Sequence, residues 1–286
     1  MPIPIAHPAA VLALRRFCPR YFSLSALMIG SLAPDFAYAI DDLNKFSRTI
    51  LFIFGARAEN LTYVKEAWDW DDFSHTLAGT VGFCLPAGFL ALGVFLALRS
   101  TLVALLPNPH REALRPLSMG PKHSVLTYTV SLLAGALTHL IWDSFTNFGH
   151  SIWHDWAFLH WQLAEFASTR IDVSRACWLV SSIGGPVLLS VAYLRFLTGK
   201  HLRPWVFNQV ETPYYALWAL ITIISLLIAI PPTLHFISFG TSASTLYNFF
   251  HRYIGFAIAA FSCTVLITGL VAKLRLSRSE KKPASS

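Results

Sequence analysis

Five residues carry the chemistry open to this sequence: His7 in AHPAAV, Asp35 in LAPDF, His75 in FSHT, and the pair His139 and Asp143 in THLIWDSF. His139 and Asp143 stand four apart, so on a helix they leave the same face and can reach one ion or each other. Alone, that pair also fits a hydrogen bond steadying a helix end. Asp35 follows Pro34 in the otherwise apolar stretch SLSALMIGSLAPDFAYAI, where a lone carboxylate is costly to desolvate unless it caps a helix or meets solvent. His75 closes the acidic, tryptophan-containing WDWDDFSHT, and His7 lies near the start; either alone would be an unremarkable interfacial or exposed histidine. Together they make three imidazoles and two carboxylates on four segments. That donor set suits Zn, Mn or Fe in a hydrolytic site, and an incomplete protein shell leaves room for water.

The elements that must position these residues are read from apolar length. In 286 residues, 55% are hydrophobic and 13% charged, far from the roughly 25% charged of soluble proteins. A membrane-crossing helix needs about 20 mostly apolar residues. Five uncharged runs approach or exceed that length: 81–98, 124–142, 176–194, 212–250 and 253–272. The fourth is long enough to cross and then turn at Pro231-Pro232. A sixth candidate, residues 24–40, is broken by Pro34 and carries Asp35. The expected class is all-α, a polytopic helical membrane protein of about five to six spans with a helical N-terminal segment. Residues 1–273 form one membrane domain: an N-terminal helical hairpin and surface segment over 1–80, two spans and a loop over 81–172, and three spans over 173–273. Residues 274–286 are a polar, basic tail expected to be disordered.

The net charge of +7 is arranged as a topology signal rather than as a nucleic-acid surface. Arg99, Arg111, Arg115 and Lys122 fall between the first two spans, Arg195, Lys200 and Arg203 between the third and fourth, and five Lys or Arg after the fifth. Short cytoplasmic loops collect such residues, which places the C-terminus in the cytoplasm. Residues 41–80, with seven acidic and four basic residues, then face outward together with the loop 143–172. If Arg15, Arg16 and Arg20 are cytoplasmic, His7 reaches the outer face only when the first segment is re-entrant or lies flat. The start places its arginines after a short apolar stretch, the reverse of signal-peptide order, so the N-terminus is expected to be kept. Cys18, Cys84, Cys177 and Cys263 have no CxxC spacing and read as apolar residues.

No HExxH, Gly-rich phosphate loop or GxSxG elbow is present. The stretch GHSIWHDWAFLHWQ adds His150, His154 and His160 among tryptophans, which fits an amphipathic segment on the outer leaflet or a lid over the site. Pro231-Pro232 with His235 resembles the interrupted helix of a transporter, so a non-enzymatic transporter or receptor holding a structural metal or His–Asp cluster is the alternative to an enzyme.

The ordered motifs HPAAVLALRR, IGSLAPDF, FSHT and THLIWDSFTNFGH resemble the bacterial membrane proteins grouped as domain of unknown function 4184, and more distantly the membrane-bound metal-dependent hydrolases. The resemblance extends to an all-helical metal-site arrangement shared with zinc-dependent phospholipase C and the P1-type nucleases. It implies ligand roles for His7, Asp35, His75, His139 and Asp143, with Zn the first candidate. Relatives often carry histidine where this chain has Asn147; either that position supports the ligands from behind, or His150 or His154 replaces it. Function by analogy is then hydrolysis of a phosphoester of a lipid or lipid-linked substrate at the outer face of a bacterial inner membrane, with Asp72 as proton acceptor.

Overall fold

The computed structural model describes residues 4–38, 40, 70–119, 123–146, 156–166, 169–199, 211–237 and 245–280. In chain order the elements are α1 (His7–Phe17), α2 (Leu24–Leu32), α3 (Trp70–Ser74), α4 (Leu77–Ala104), α5 (His110–Ser118), α6 (Val125–Thr146), β1 (Gln162–Phe166), β2 (Thr169–Asp172), α7 (Val173–Thr198), α8 (Thr212–Ile237) and α9 (Thr245–Glu280). Five of them, α4 and α6 to α9, are long and apolar enough to cross a membrane. The chain is therefore an all-α, polytopic integral membrane protein.

Among the described residues the sixth apolar segment forms no helix long enough to cross. Helix α1 has 11 residues and α2 has 9, or about 17 and 14 Å at 1.5 Å per residue, against a hydrocarbon core of roughly 30 Å. The two pack together as a hairpin. Its open ends carry His7 and Asp35, and its tip carries Arg20, beyond Arg15 and Arg16 in the last turn of α1.

Three further features depart from the sequence reading. Helix α8 does not turn at Pro231-Pro232 but continues through Ile237. The hydroxyl of Thr233 donates to the Ala229 carbonyl at 2.6 Å, the kind of side-chain substitution that keeps a proline-bearing apolar helix intact. Helix α9 runs on to Glu280 rather than ending near 273, because LVAKLRLSRSE contains no helix breaker. Between α6 and α7 the chain forms an antiparallel β1–β2 hairpin, the sole sheet among the described residues. Its irregular register and mostly exposed side chains left no clean alternation to read.

The chain divides into two compact units. One holds α1, α2, α3, α4 through Val94, α6, the β-hairpin and α7; the other holds α4 from Phe95 onward, α5, α8 and α9. In the second unit Glu211 joins the α4–α5 connection to the start of α8. It pairs with Arg111 and accepts from the backbone N–H of Asn108 at 3.0 Å and its side-chain amide at 3.1 Å. Trp218 Nε1–H donates to the Leu105 carbonyl at 2.9 Å. In the first unit, α2 lies parallel to α6 in a constant register. Ser23 N–H donates to Ser131 Oγ at 2.9 Å, and two turns later the Ser31 carbonyl meets His139, both pairs 108 positions apart.

Glycines make that register attainable. A Cβ on Gly135 would lie 2.3 Å from the Leu27 carbonyl oxygen and 2.7 Å from Ser31 N, and one on Gly30 would lie 2.2 Å from the Leu132 carbonyl oxygen. The backbones touch because neither crossing position has a side chain. Beside this crossing, Ala33, Cys84 and Ala136 form a buried core with Phe36 and Phe83 packed against it.

Candidate metal centre

The α2–α6 register delivers two donors to one place. Asp35 follows α2 by one turn, and His139 and Asp143 leave the buried face of α6 about 10 Å and 5 Å from its Thr146 end. His75 comes from the tight link between α3 and α4. Thr76 caps α4 by accepting from Gly79 N–H at 2.9 Å, and a Cβ on Gly79 would sit 1.8 Å from the Phe73 carbonyl oxygen, so the link closes tightly only around glycine. Immediately beyond it, Thr80–Cys84 forms a π-helical turn, a form concentrated at functional sites. His7 opens α1, held by the close approach of α7: a Cβ on Gly185 would lie 2.6 Å from Ala6 Cα.

All five side chains are buried, from 0% exposure at Asp143 to 7% at Asp35. Nε2 of His139 lies 3.4 Å from Asp143 Oδ2 and 3.7 Å from Asp35 Oδ1. Nε2 of His75 lies 3.9 Å from each of Asp35 Oδ1 and Asp143 Oδ2, and Nε2 of His7 is 3.6 Å from Asp143 Oδ1. Direct His–Asp ion pairs close to about 2.7–2.9 Å. Donors arranged around a cation with bonds near 2.0–2.1 Å instead stand about 3.3 Å or more from each other. The observed spacings belong to the second pattern, and two triads, His7–His139–Asp143 and Asp35–His75–His139, each have donor atoms within 4.8 Å of one another.

The histidines are also turned for it. His139 Nδ1 is 2.8 Å from the Ser31 carbonyl, which can only accept, so Nδ1 carries the proton and Nε2 offers its lone pair to the centre. The Ser74 hydroxyl donates to the Pro34 carbonyl at 3.0 Å, which leaves its oxygen to accept from His75 Nδ1–H, also at 3.0 Å. His75 Nε2 is thereby presented inward as well. Such partners behind a ligand fix its tautomer and aim. Neither ring nitrogen of His7 and neither oxygen of Asp143 makes a hydrogen bond among the described residues, which leaves these buried atoms available to a bound cation or water.

The structure thus brings together His7, Asp35, His75, His139 and Asp143. Asp72 lies on α3 and is exposed, outside the buried cluster. Asn147, His150 and His154 lie outside the described residues. Two contributors escaped the sequence reading: Ser74, although it stands inside FSHT, and the backbone carbonyl of Ser31, which has no side-chain signature at all.

A helical membrane protein with a buried three-histidine, two-aspartate cluster at one end of its most buried candidate span is the class that fold and site define. Within that class the chain belongs to the family described as domain of unknown function (DUF4184), whose model matches residues 1–274. Comparison with curated proteins and with solved structures gives no match.

Proposed function

We propose that the protein is a membrane-bound, metal-dependent hydrolase acting on a phosphoester of a lipid or lipid-linked substrate. The observation that carries this reading is the inward aim of His75 Nε2 and His139 Nε2 toward two buried carboxylates at ligand spacing. His7, Asp35, His75, His139 and Asp143 would hold a divalent cation, Zn first, then Mn or Fe. Bound there, the cation supplies Lewis acidity to a phosphoryl oxygen and acidifies water. Around it the protein keeps the two histidines in one tautomer and excludes bulk water by burial. Asp72, exposed on α3 and outside the buried cluster, is the proposed proton acceptor, reached through intervening water rather than by direct contact with the centre.

A lipid substrate is supported by the surface at this end of the span. Trp156, Phe158, Trp161 and Leu163, on the connection from α6 to α7, are exposed. Aromatic residues of this kind settle at the headgroup boundary. The alternative is a non-enzymatic transporter or receptor in which the same cluster is a structural metal or His–Asp site.

The test is hydrolysis of phospholipids, lipid-linked phosphates and simple phosphodiesters by reconstituted protein with added Zn, Mn or Mg. Turnover absent from His139→Ala and lowered by about 10²–10⁴ in Asp72→Asn, the scale of general acid–base catalysis, is the expected result. Wild-type rates in His139→Ala overturn the mechanism, and no turnover on any substrate favours a transporter or receptor holding a structural metal.

We also propose, from the distribution of Lys and Arg, that the C-terminus is cytoplasmic and the metal centre faces outward in a bacterial inner membrane. On a background without the four native cysteines, His160→Cys should react with an impermeant thiol reagent in intact cells and Arg275→Cys should not. The opposite labelling reverses the orientation.

A further inference from the structure

Helix α5 has 9 residues, about 14 Å at 1.5 Å per residue, and is far too short to cross a hydrocarbon core of roughly 30 Å. The second unit pins it where two spans end. Arg111, in its first turn, pairs with Glu211, donates from Nε to the Leu106 carbonyl at 2.9 Å and lies over the Tyr214 ring at 4.4 Å. The Tyr215 hydroxyl donates to the Asn108 carbonyl at 3.0 Å, beside the bond from Trp218 to Leu105. Because α4 ends at Ala104 and α8 begins at Thr212, these bonds hold α5 at the bilayer boundary, whichever side of the membrane that is.

The helix is built for such a boundary. At 100° per residue, Ala113, Leu114 and Leu117 leave one side of α5, and Arg111, Glu112 and Arg115 leave the other. Ala113 is buried against the unit, whereas Leu117, and Met119 just beyond the helix, are exposed. A short helix with an open apolar edge and a basic face lies in the interface plane, its leucine among the acyl chains and its arginine at the headgroups.

Charge selects the kind of headgroup. The Arg115 side chain is 65% exposed, and its contact with Glu112 at 3.7 Å is a surface pair of small worth, so its guanidinium has donors to spare for a phosphate. Helix α9 adds to this end, packing on α4 where a Cβ on Gly269 would lie 3.0 Å from Leu102 and where Lys273 Nζ reaches the Ala97 carbonyl at 2.9 Å. Lys273 is exposed, as is Arg275 between exposed Leu274 and Leu276. Arg99, Arg111, Arg115, Lys273 and Arg275 thus stand against Glu112 and Glu211 among the described side chains here. A zwitterionic headgroup brings its own cation and leaves that excess unmatched; an anionic one balances it.

We propose that α5, with Lys273 and Arg275 of α9, is a docking surface for the headgroups of anionic phospholipids, with Leu117 and Met119 seated among their acyl chains. It uses no residue of the metal centre and stands whether or not that centre holds metal.

The probes are phosphatidylglycerol and phosphatidylcholine in equal parts, one at a time brominated near the top of its chains, in nanodiscs around the full-length protein. Leu117→Cys, on a background without the four native cysteines, carries a fluorophore. Bromine quenches only near contact, so quenching counts the lipids beside α5. Both lipids are expected to quench, phosphatidylglycerol severalfold more effectively. A basic residue near an anionic surface is worth about fivefold, so Arg115→Gln should lower the preference by about that factor. Lys273→Gln with Arg275→Gln should lower it further, and raised salt should act in the same direction. Quenching by neither lipid overturns the interfacial seat of α5, and equal quenching by both overturns the anionic preference. A preference unchanged in both charge variants overturns its assignment to these residues. Every substituted side chain is exposed, and the first two outcomes need only the labelled protein.

Discussion

Purified Asp143→Ala protein is expected to carry no Zn, Mn or Fe above background, and Asp143→Asn to fold like wild type yet gain nothing in thermal stability from added metal. Asp143 is the residue in contact with all three histidines, at 3.6 Å from His7, 3.9 Å from His75 and 3.4 Å from His139. Removing it takes the negative charge from beside all three histidines at once. The asparagine variant keeps the shape but offers a neutral oxygen, so it separates charge from packing. Binding to the native state at a hundredfold excess over the dissociation constant stabilises by about 2.7 kcal/mol, which for units of this size raises the melting midpoint by about 5–10 °C. Wild-type protein should show that rise and both variants should not. Ser74→Ala marks the intermediate case: it frees the His75 tautomer, and loss of a partner behind a ligand weakens metal binding about 10–100-fold. Metal content in Asp143→Ala equal to wild type, measured by elemental analysis, would remove this residue from the centre.

Gly135→Ala is expected to be among the most damaging single-methyl additions in the protein. The new Cβ would stand 2.3 Å from the Leu27 carbonyl oxygen and 2.7 Å from Ser31 N, both backbone atoms that cannot swing aside. Helix α2 must move, and overpacking of this kind costs about 1–3 kcal/mol or more. The melting midpoint in detergent should fall by about 5 °C or more. The same displacement pulls the Ser31 carbonyl from His139, so metal affinity should fall with stability. Gly93→Ala on α4 is the control, since nothing lies within 4 Å of its Cβ position. There the better helix propensity of alanine should leave stability unchanged or raise it by up to about 1 kcal/mol. Equal melting of the two variants would mean that α2 is not seated against α6 at this crossing.

The five spans were legible because apolar length reports membrane crossing directly, without any tertiary information. The candidate donors were legible because ionisable residues are rare in such runs, and His139 and Asp143 stood out at helical spacing. The path of residues 7–35 was not legible. Two short helices give no length signal, and their parallel or antiparallel relation to α6 is set by where Gly30, Gly135, Ser23 and Ser131 meet, which spacing along one chain does not reveal. Pro231-Pro232 misled for a related reason: the propensity of proline is local, while the Thr233 hydroxyl that accompanies an unbroken helix acts one turn back. Asp72 stood beside His75 in sequence, yet α3 carries it on an exposed face. Adjacency in sequence did not predict a shared environment there, whereas residues 108 apart came to share one.

That separation has a consequence for how the protein is made. Residues 7–35 leave the ribosome about 5–20 s before their partners 108 positions later, at ordinary rates of 5–20 residues per second. During that interval the hairpin has no groove to occupy, and neither of its helices is long enough to insert as a span by itself. Its buried histidine and aspartate stay hydrated until α6 has been threaded into the bilayer and Gly135 presents a surface to receive it. Docking of this hairpin therefore waits on α6, and a nascent chain that still lacks α6 keeps His7 and Asp35 in water.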